Sequence, residues 1–97
     1  MLKISIVELR NQRRVVLEGK LIPPWTNELR NACDKASESL EGRELILDLN
    51  ALTAISDQGE NLLIALVNEG VKLRCRGVFT KEVLRQLVRR ARAQRQT

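Results

Sequence analysis

The stretch at residues 45–66 constrains the fold of this chain more than any other part. Its first five residues, 45–49, are apolar apart from Asp48 and too few for a stable helix, which indicates a buried strand. The polar turn Ser-Asp-Gln-Gly follows at 56–59, and apolar residues then recur at helical spacing until Gly70, where we expect the helix to end. The sequence therefore predicts a strand, a short crossing loop, a polar turn and a buried helix.

The turn at 56–59 is the strongest candidate for a functional site, because small and polar residues are densest there. Asp57 with Glu60 three positions later fits a capping box, in which each side chain satisfies a backbone N–H group at the helix start. The predicted loop before the turn adds polar residues of its own. We expect a partner-binding or regulatory surface made of Asn50, Thr53, Ser56, Asp57, Gln58, Gly59 and Glu60.

The segment before this stretch predicts a hairpin followed by a helix. Apolar residues alternate with polar ones over 2–6, and Val7 and Leu9 break the strict alternation. A second strand is predicted to start at 14–17 and to end at the prolines 23–24, with Gly19 relieving crowding or marking a bulge near its end. Two prolines at 23–24 precede an amphipathic helix of about four turns over 25–40. Cys33 falls on the apolar stripe of that helix, where it is a small core residue.

The segment after it predicts a half-exposed strand at 71–75 and a third amphipathic helix at 80–91, which frays into a basic tail at 92–97. The predicted order is ββαβαβα within a single α/β domain over 1–97. A hairpin followed by repeated βα units gives a four-stranded mixed sheet with about three helices and right-handed crossovers. The outer charges Lys72, Arg74 and Arg76 protect the last strand, and a homodimer that pairs there is the alternative.

The charge of the chain is uneven. The net charge is +5, yet the residues from Lys72 onward contain nine Lys or Arg and one acidic residue, which is +8 for that part and −3 for the rest. An Arg-rich helix can bind nucleic acid or an acidic partner by neutralising phosphates. We favour a solvated helix face instead, because the chain has two aromatic residues and neither lies among the arginines.

The composition argues against an enzyme. The chain has no His, and its two Cys are far apart in sequence, so no metal pattern, cofactor or disulfide framework is predicted. Asp48 and Asp57 are the only candidate carboxylate pair, and a capping Asp beside a strand Asp is more often structural. Small-ligand or nucleotide binding at the 56–59 helix start remains a further alternative, although Gly59 alone is no phosphate loop. With no membrane span and no signal peptide predicted, a reduced, cytoplasmic setting is the default.

The element order and the central stretch resemble the STAS family, the domain of bacterial anti-sigma factor antagonists. The most specific part is 47–59, where a strand ending in Asp-Leu precedes a helix start similar to the family's Asp-Ser-Ser-Gly. The segment 17–21, Leu-Glu-Gly-Lys-Leu, resembles the family's strand end. The resemblance implies a non-catalytic module of transcription regulation that binds a protein partner, an anti-sigma factor or a serine kinase-like regulator. It also implies a serine at the helix start, whose phosphorylation breaks the complex.

The sequence departs from the family at that serine. The phosphoacceptor position aligns with Asp57, and the acidic residue before it aligns with Ser56. Asp57 is then a fixed negative charge, or Ser56 accepts the phosphate one place early, or the switch is lost and Asp57 only caps the helix. We rank loss of the switch first, because capping alone explains Asp57 and Glu60, and phosphorylation of Ser56 last.

Overall fold

A computed structural model of the chain describes residues 1–75 and Arg89. The predicted third helix at 80–91 and the tail at 92–97 lie outside the described residues, Arg89 excepted. The elements are, in order, β1 (Leu2–Glu8), β2 (Gln12–Leu21), α1 (Trp25–Ala36), β3 (Glu44–Ile55), α2 (Asp57–Asn68) and β4 (Lys72–Arg74). The predicted order is confirmed as far as β4.

Within the described part of the chain, the strands form one four-stranded sheet in the order β1-β2-β3-β4. β1 and β2 are antiparallel, whereas β2 with β3 and β3 with β4 are parallel, which confirms the predicted mixed sheet. The connection from β2 to β3 contains α1, and the connection from β3 to β4 contains α2. Both connections move to the next strand in the same direction across the sheet, so right-handed crossovers place α1 and α2 on the same face. The guanidinium of Arg30 in α1 accordingly bonds both carboxylate oxygens of Glu69, next to the end of α2, at 2.7 Å.

The core lies between that face of the sheet and the two helices. Alternate residues of the central strands point into it, because successive side chains of a strand face opposite sides. Leu45, Leu47 and Leu49 of β3 are buried, whereas Ile46 and Asp48 between them are half-buried on the other face. The helices complete the core with Leu29, Cys33, Ala36, Leu63, Ile64 and Leu66. The prediction that Cys33 is a core residue is confirmed.

The loop predicted before the turn, at 50–54, is wrong, because β3 continues to Ile55. Two irregularities in its pairing with β2 explain the error. Leu49 and Asn50 stand opposite one residue of β2, and Thr53 is a further extra residue between the pairs that Leu52 and Ala54 make. Each extra residue breaks the period of two by which a strand is recognised in sequence.

Of the two roles predicted for Gly19, relief of crowding is confirmed, and the extra residue of the adjacent register shift is Thr53 on β3. The φ of Gly19, +105°, lies in the left-handed region, and a Cβ at this position would collide with the carbonyl oxygen of Met1. That oxygen accepts a hydrogen bond from the N–H of Lys20 at 3.1 Å, so the start of β1 is held directly against β2 at Gly19. Only glycine permits both the backbone conformation and this close approach.

Helix α1 is shorter than the predicted span of 25–40 and ends at Ala36. One guanidinium nitrogen of Arg13 donates to the carbonyl oxygens of Ala36 and Glu38, at 2.7 and 2.8 Å, and so satisfies acceptors that a continuing helix would use. Ser39 then adopts a φ of 55°, which turns the chain away from the helix. Strand β4 is also shorter than predicted and has three residues.

Candidate functional site

Ser56, and not Asp57, caps the start of α2. Its backbone is extended, with φ −81° and ψ 172°, and its Oγ accepts a hydrogen bond from the N–H of Gly59 at 3.1 Å. Asp57 is therefore the first residue of the helix, and the capping box predicted for Asp57 and Glu60 is wrong. Serine and aspartate are both good N-caps, and the extended backbone of Ser56 brings its hydroxyl within reach of the third N–H group of the helix.

The carbonyl oxygen of Leu21, at the end of β2, holds this helix start in place. It accepts a hydrogen bond from the N–H of Ser56 at 3.0 Å, and the Ser56 hydroxyl lies 3.4 Å from the same oxygen. A Cβ at the buried Gly59 would lie 2.6 Å from this oxygen and 3.0 Å from Ile55 and Leu21 side-chain atoms. Gly59 is thus required by close packing of α2 on β2.

Asp57 and Gln58 are exposed on the first turn of α2. In residues 1–75, no side chain forms a hydrogen bond or ion pair with either of them. A carboxylate at this position is favoured by the positive end of the helix dipole. Because Ser56 makes the cap, the charge of Asp57 is available to a molecule that approaches this end of the sheet.

The remaining predicted site residues lie at different distances from this turn. Thr53 is exposed near the end of β3, and its hydroxyl donates to the carbonyl oxygen of Gly19 at 3.1 Å, so it stabilises the bulge. Asn50 is exposed five residues before Ile55, about 15 Å along the strand. Glu60 is half-buried on α2. The structure therefore brings Ser56, Asp57, Gln58 and Gly59 together with Thr53 nearby, and it leaves Asn50 apart.

Asp48 and Asp57 do not form a carboxylate pair. About 20 Å of extended strand separates them, and Asp48 lies mid-strand, where its Oδ1 accepts the N–H of Asn50 at 2.9 Å. Over residues 1–75 and Arg89, no group of three or more acidic or Cys side chains is arranged to hold a metal ion. The turn at 56–59 therefore presents one exposed carboxylate, that of Asp57, and one exposed amide, that of Gln58. Such groups can bind a partner through an ion pair and hydrogen bonds.

Two clefts elsewhere in the molecule do not include the turn at 56–59. One of about 350 Å³ lies at the C-terminal ends of α1 and α2, and it is lined by Cys33, Leu66 and Glu69 among others. Burial raises the pKa of the Cys33 thiol to about 11, so this thiol is protonated and a poor nucleophile near neutral pH. The second cleft, of about 450 Å³, lies between β1 and α1.

Sequence reasoning missed Leu21, whose backbone oxygen organises the site. The signal for it was present in the spacing of Leu17, Gly19 and Leu21 in a strand end that resembles the STAS family. That spacing does not reveal the contact, however, because a contact through a main-chain oxygen depends on the backbone path and not on the side chain of the residue that carries it.

Comparison with solved structures identifies the fold. No protein-family model matches the sequence, and no curated protein matches it either. The chain is similar to the STAS domain of an antisigma-factor antagonist from Rhodobacter sphaeroides, with a TM-score of 0.56 and 15% identity over 76% of this chain and 84% of that one. It is also similar to Mglu, with a TM-score of 0.58 and 17% identity over 75% of this chain.

The chain therefore has a STAS-like fold, which confirms the predicted resemblance at the level of the fold. It spans 19% of the length of the Mglu chain, so that similarity concerns one part of a much larger protein. In the part of the chain that the structure describes, no helix is both long enough and apolar enough to cross a membrane.

Proposed function

We propose that this protein is a non-catalytic regulatory module that binds a protein partner in the cytoplasm through the start of α2, as an anti-sigma factor antagonist does. The STAS-like fold and its similarity to an antisigma-factor antagonist support this proposal. The observation that carries it is the exposed carboxylate of Asp57, which lies where the family resemblance places the phosphoacceptor and takes no part in the helix cap.

The sequence alone ranks loss of the phosphorylation switch first, whereas we propose that Asp57 acts as a fixed negative charge at the phosphoacceptor position. Capping was the reason to regard Asp57 as merely structural, and the Ser56 hydroxyl makes that cap. A carboxylate carries one negative charge, whereas a phosphate carries nearly two with more acceptor oxygens, so Asp57 supplies part of the charge of a phosphorylated serine. The module then binds its partner without a kinase-dependent step.

The partner surface that fits this site is complementary in charge. An Arg or Lys side chain opposite Asp57 would pair with its carboxylate, and the exposed amide of Gln58 would both donate and accept hydrogen bonds. An anti-sigma factor or a serine kinase-like regulator that presents such a basic group is the partner class we propose.

Phosphorylation of Ser56 is disfavoured by its surroundings. Its half-buried hydroxyl accepts the Gly59 N–H and lies against the Leu21 carbonyl oxygen. A phosphate there would lose the cap and bring negative charge toward a carbonyl oxygen that already bonds the helix start. We therefore propose that Ser56 has a structural role.

A pull-down from lysate of the source organism, with mass-spectrometric identification, tests the proposal. The baits are the wild type, Asp57→Asn and Glu28→Gln. The last variant is a matched control, because Glu28 is an exposed acid in the first turn of α1. We expect one regulatory protein to be captured by the wild type and Glu28→Gln and to be lost with Asp57→Asn. Equal capture by all three baits contradicts the proposal.

A further inference from the structure

The outer edge of β1 concentrates the exposed apolar surface of the described residues. Four large hydrophobic side chains are exposed in residues 1–75, and all four lie on β1 or beside its ends: Met1, Ile6, Val7 and Leu9. No strand of the described part pairs with this edge, since β1 is the first strand in the sheet order. An exposed apolar edge of seven residues is a template for pairing with another strand.

The direction of the unpaired backbone groups follows from two hydrogen bonds at the ends of β1. The Met1 carbonyl accepts from Lys20, and the Leu9 N–H donates to Gln12, so odd-numbered residues point toward β2. Because hydrogen-bonding direction alternates along an antiparallel strand, the even-numbered residues point outward. The outer edge therefore presents the N–H and C=O groups of Leu2, Ile4, Ile6 and Glu8.

The strand is nearly symmetric about its midpoint. Ser5 is the central residue of Leu2–Glu8, with an isoleucine on each side of it and a charge of opposite sign toward each end, Lys3 and Glu8. An antiparallel copy of the same strand that overlaps it completely places Ile4 opposite Ile6 twice. It also brings the basic end of each strand beside the acidic end of the other.

This pairing of two β1 strands, centred on Ser5, matches the outward direction of their unpaired N–H and C=O groups. In this alignment each outward-pointing even residue faces an even residue of the second copy, so every facing pair can exchange two hydrogen bonds. Even residues also share one face of the sheet, which a twofold axis perpendicular to the sheet preserves. Ser5 lies on the axis and faces Ser5 of the second copy as a non-hydrogen-bonded pair.

The cleft between β1 and α1 also favours a second copy of this chain at the β1 edge. Ile4 and Ile6 line it together with Ala32 and Ala36 of α1, and it has a volume of about 450 Å³. An antiparallel second copy brings its own Ile4 and Ile6 to the same face at this position. β-branched cross-strand pairs of this kind stabilise sheets.

We propose that two copies of this chain associate through antiparallel β1 edges centred on Ser5, forming one continuous eight-stranded sheet. The unpaired backbone edge on the other side of the sheet is shorter, because β4 has three residues. None of the residues of the turn at 56–59 lies on β1, so the dimer carries two copies of this turn.

Sedimentation and cysteine crosslinking of the full chain test the dimer and its register. We expect a species of twice the 11.0 kDa chain mass at high concentration. In a Cys75→Ser background, Ser5→Cys places two cysteines about 4.5 Å apart between Cα atoms, within the range for a disulfide. Lys3→Cys, which is more exposed, places them about 14 Å apart and is the matched control.

The proposal predicts rapid oxidation of Ser5→Cys to a disulfide-linked dimer and slow oxidation of Lys3→Cys. It also predicts that Ile6→Lys weakens association at least about tenfold, while Ala51→Lys, which adds the same charge to an exposed position on β3, does not. Circular dichroism confirms that each variant is folded. A monomer at every concentration, equal crosslinking at positions 3 and 5, or an Ile6→Lys dimer of unchanged affinity overturns the proposal.

Discussion

The N–H of Ser56 donates a hydrogen bond to the carbonyl oxygen of Leu21 at 3.0 Å, and this contact joins the start of α2 to the end of β2. Thirty-five residues separate the two partners in sequence. The contact leaves no room for a side chain at Gly59 and leaves Asp57 and Gln58 exposed. The surface that we propose for partner binding is therefore built on a main-chain contact.

Gly59→Ala should destabilise the protein although alanine is the better helix former. A Cβ would lie 2.6 Å from the Leu21 carbonyl oxygen, and overpacking of this kind costs about 1–3 kcal/mol. The gain in helix propensity is about 1 kcal/mol. Urea unfolding measures the balance, with the exposed neighbour Gln58→Ala as the control, for which we expect a change within about 0.5 kcal/mol. A more stable Gly59→Ala would show that α2 does not approach β2 this closely.

Ser56→Ala should cost more stability than Asp57→Ala. Removal of the cap that Ser56 makes to Gly59 lowers the free energy of unfolding by about 0.5–2 kcal/mol. Asp57 contributes only through the helix dipole, about 0.3–1 kcal/mol. Ser56→Asn, which retains a capping side chain, should recover most of the loss in thermal unfolding. A larger loss of stability for Asp57→Ala than for Ser56→Ala would indicate that Asp57 is the cap.

Arg13→Ala should destabilise the protein by about 1–3 kcal/mol, because it leaves the Ala36 and Glu38 carbonyl groups without their charged donor. Arg13 also bonds Glu8, and its side chain is 14% exposed. Arg30→Ala is the comparison, since the ion pairs of Arg30 are at the surface and such pairs contribute about 0–1 kcal/mol. Equal losses for the two variants in urea unfolding would contradict this role of Arg13.

Stability should fall in acid partly through Glu8. Hydrogen bonds from Arg13 and then Arg43 hold the pKa of Glu8 below its ordinary value of 4.5. A carboxyl group whose pKa is lowered on folding stabilises the protein above the ordinary pKa, and this contribution is lost as pH falls through the folded value. Hydrogen bonds from the Arg30 guanidinium lower the pKa of Glu69 in the same way, so this carboxyl group contributes to the same loss of stability in acid.

Glu8→Gln should therefore be less stable than the wild type near neutral pH and approach it as pH falls below 4.5. Urea midpoints measured at several pH values check this, with Glu18→Gln as the control because its ion pair with Lys3 is 3.7 Å long and exposed. A difference between Glu8→Gln and the wild type that is independent of pH would exclude the electrostatic cause.

The order of elements could be predicted from the sequence because apolar periodicity reflects which side chains face the core. The end of β3 could not, since the extra residues at Asn50 and Thr53 break the alternation that marks a strand. The cap was misplaced by one residue, because Ser56 and Asp57 are both suitable caps and only the backbone conformation decides between them.

The most direct test of the central claim is the affinity of the purified partner, once identified, for Asp57→Asn. Isothermal titration calorimetry compares it with the wild type and with Glu28→Gln, which removes an equivalent charge from the first turn of α1. We expect Asp57→Asn to bind at least about tenfold more weakly, a loss of about 1.4 kcal/mol, and Glu28→Gln to bind as the wild type does. Equal affinities for all three proteins would contradict a binding role for Asp57.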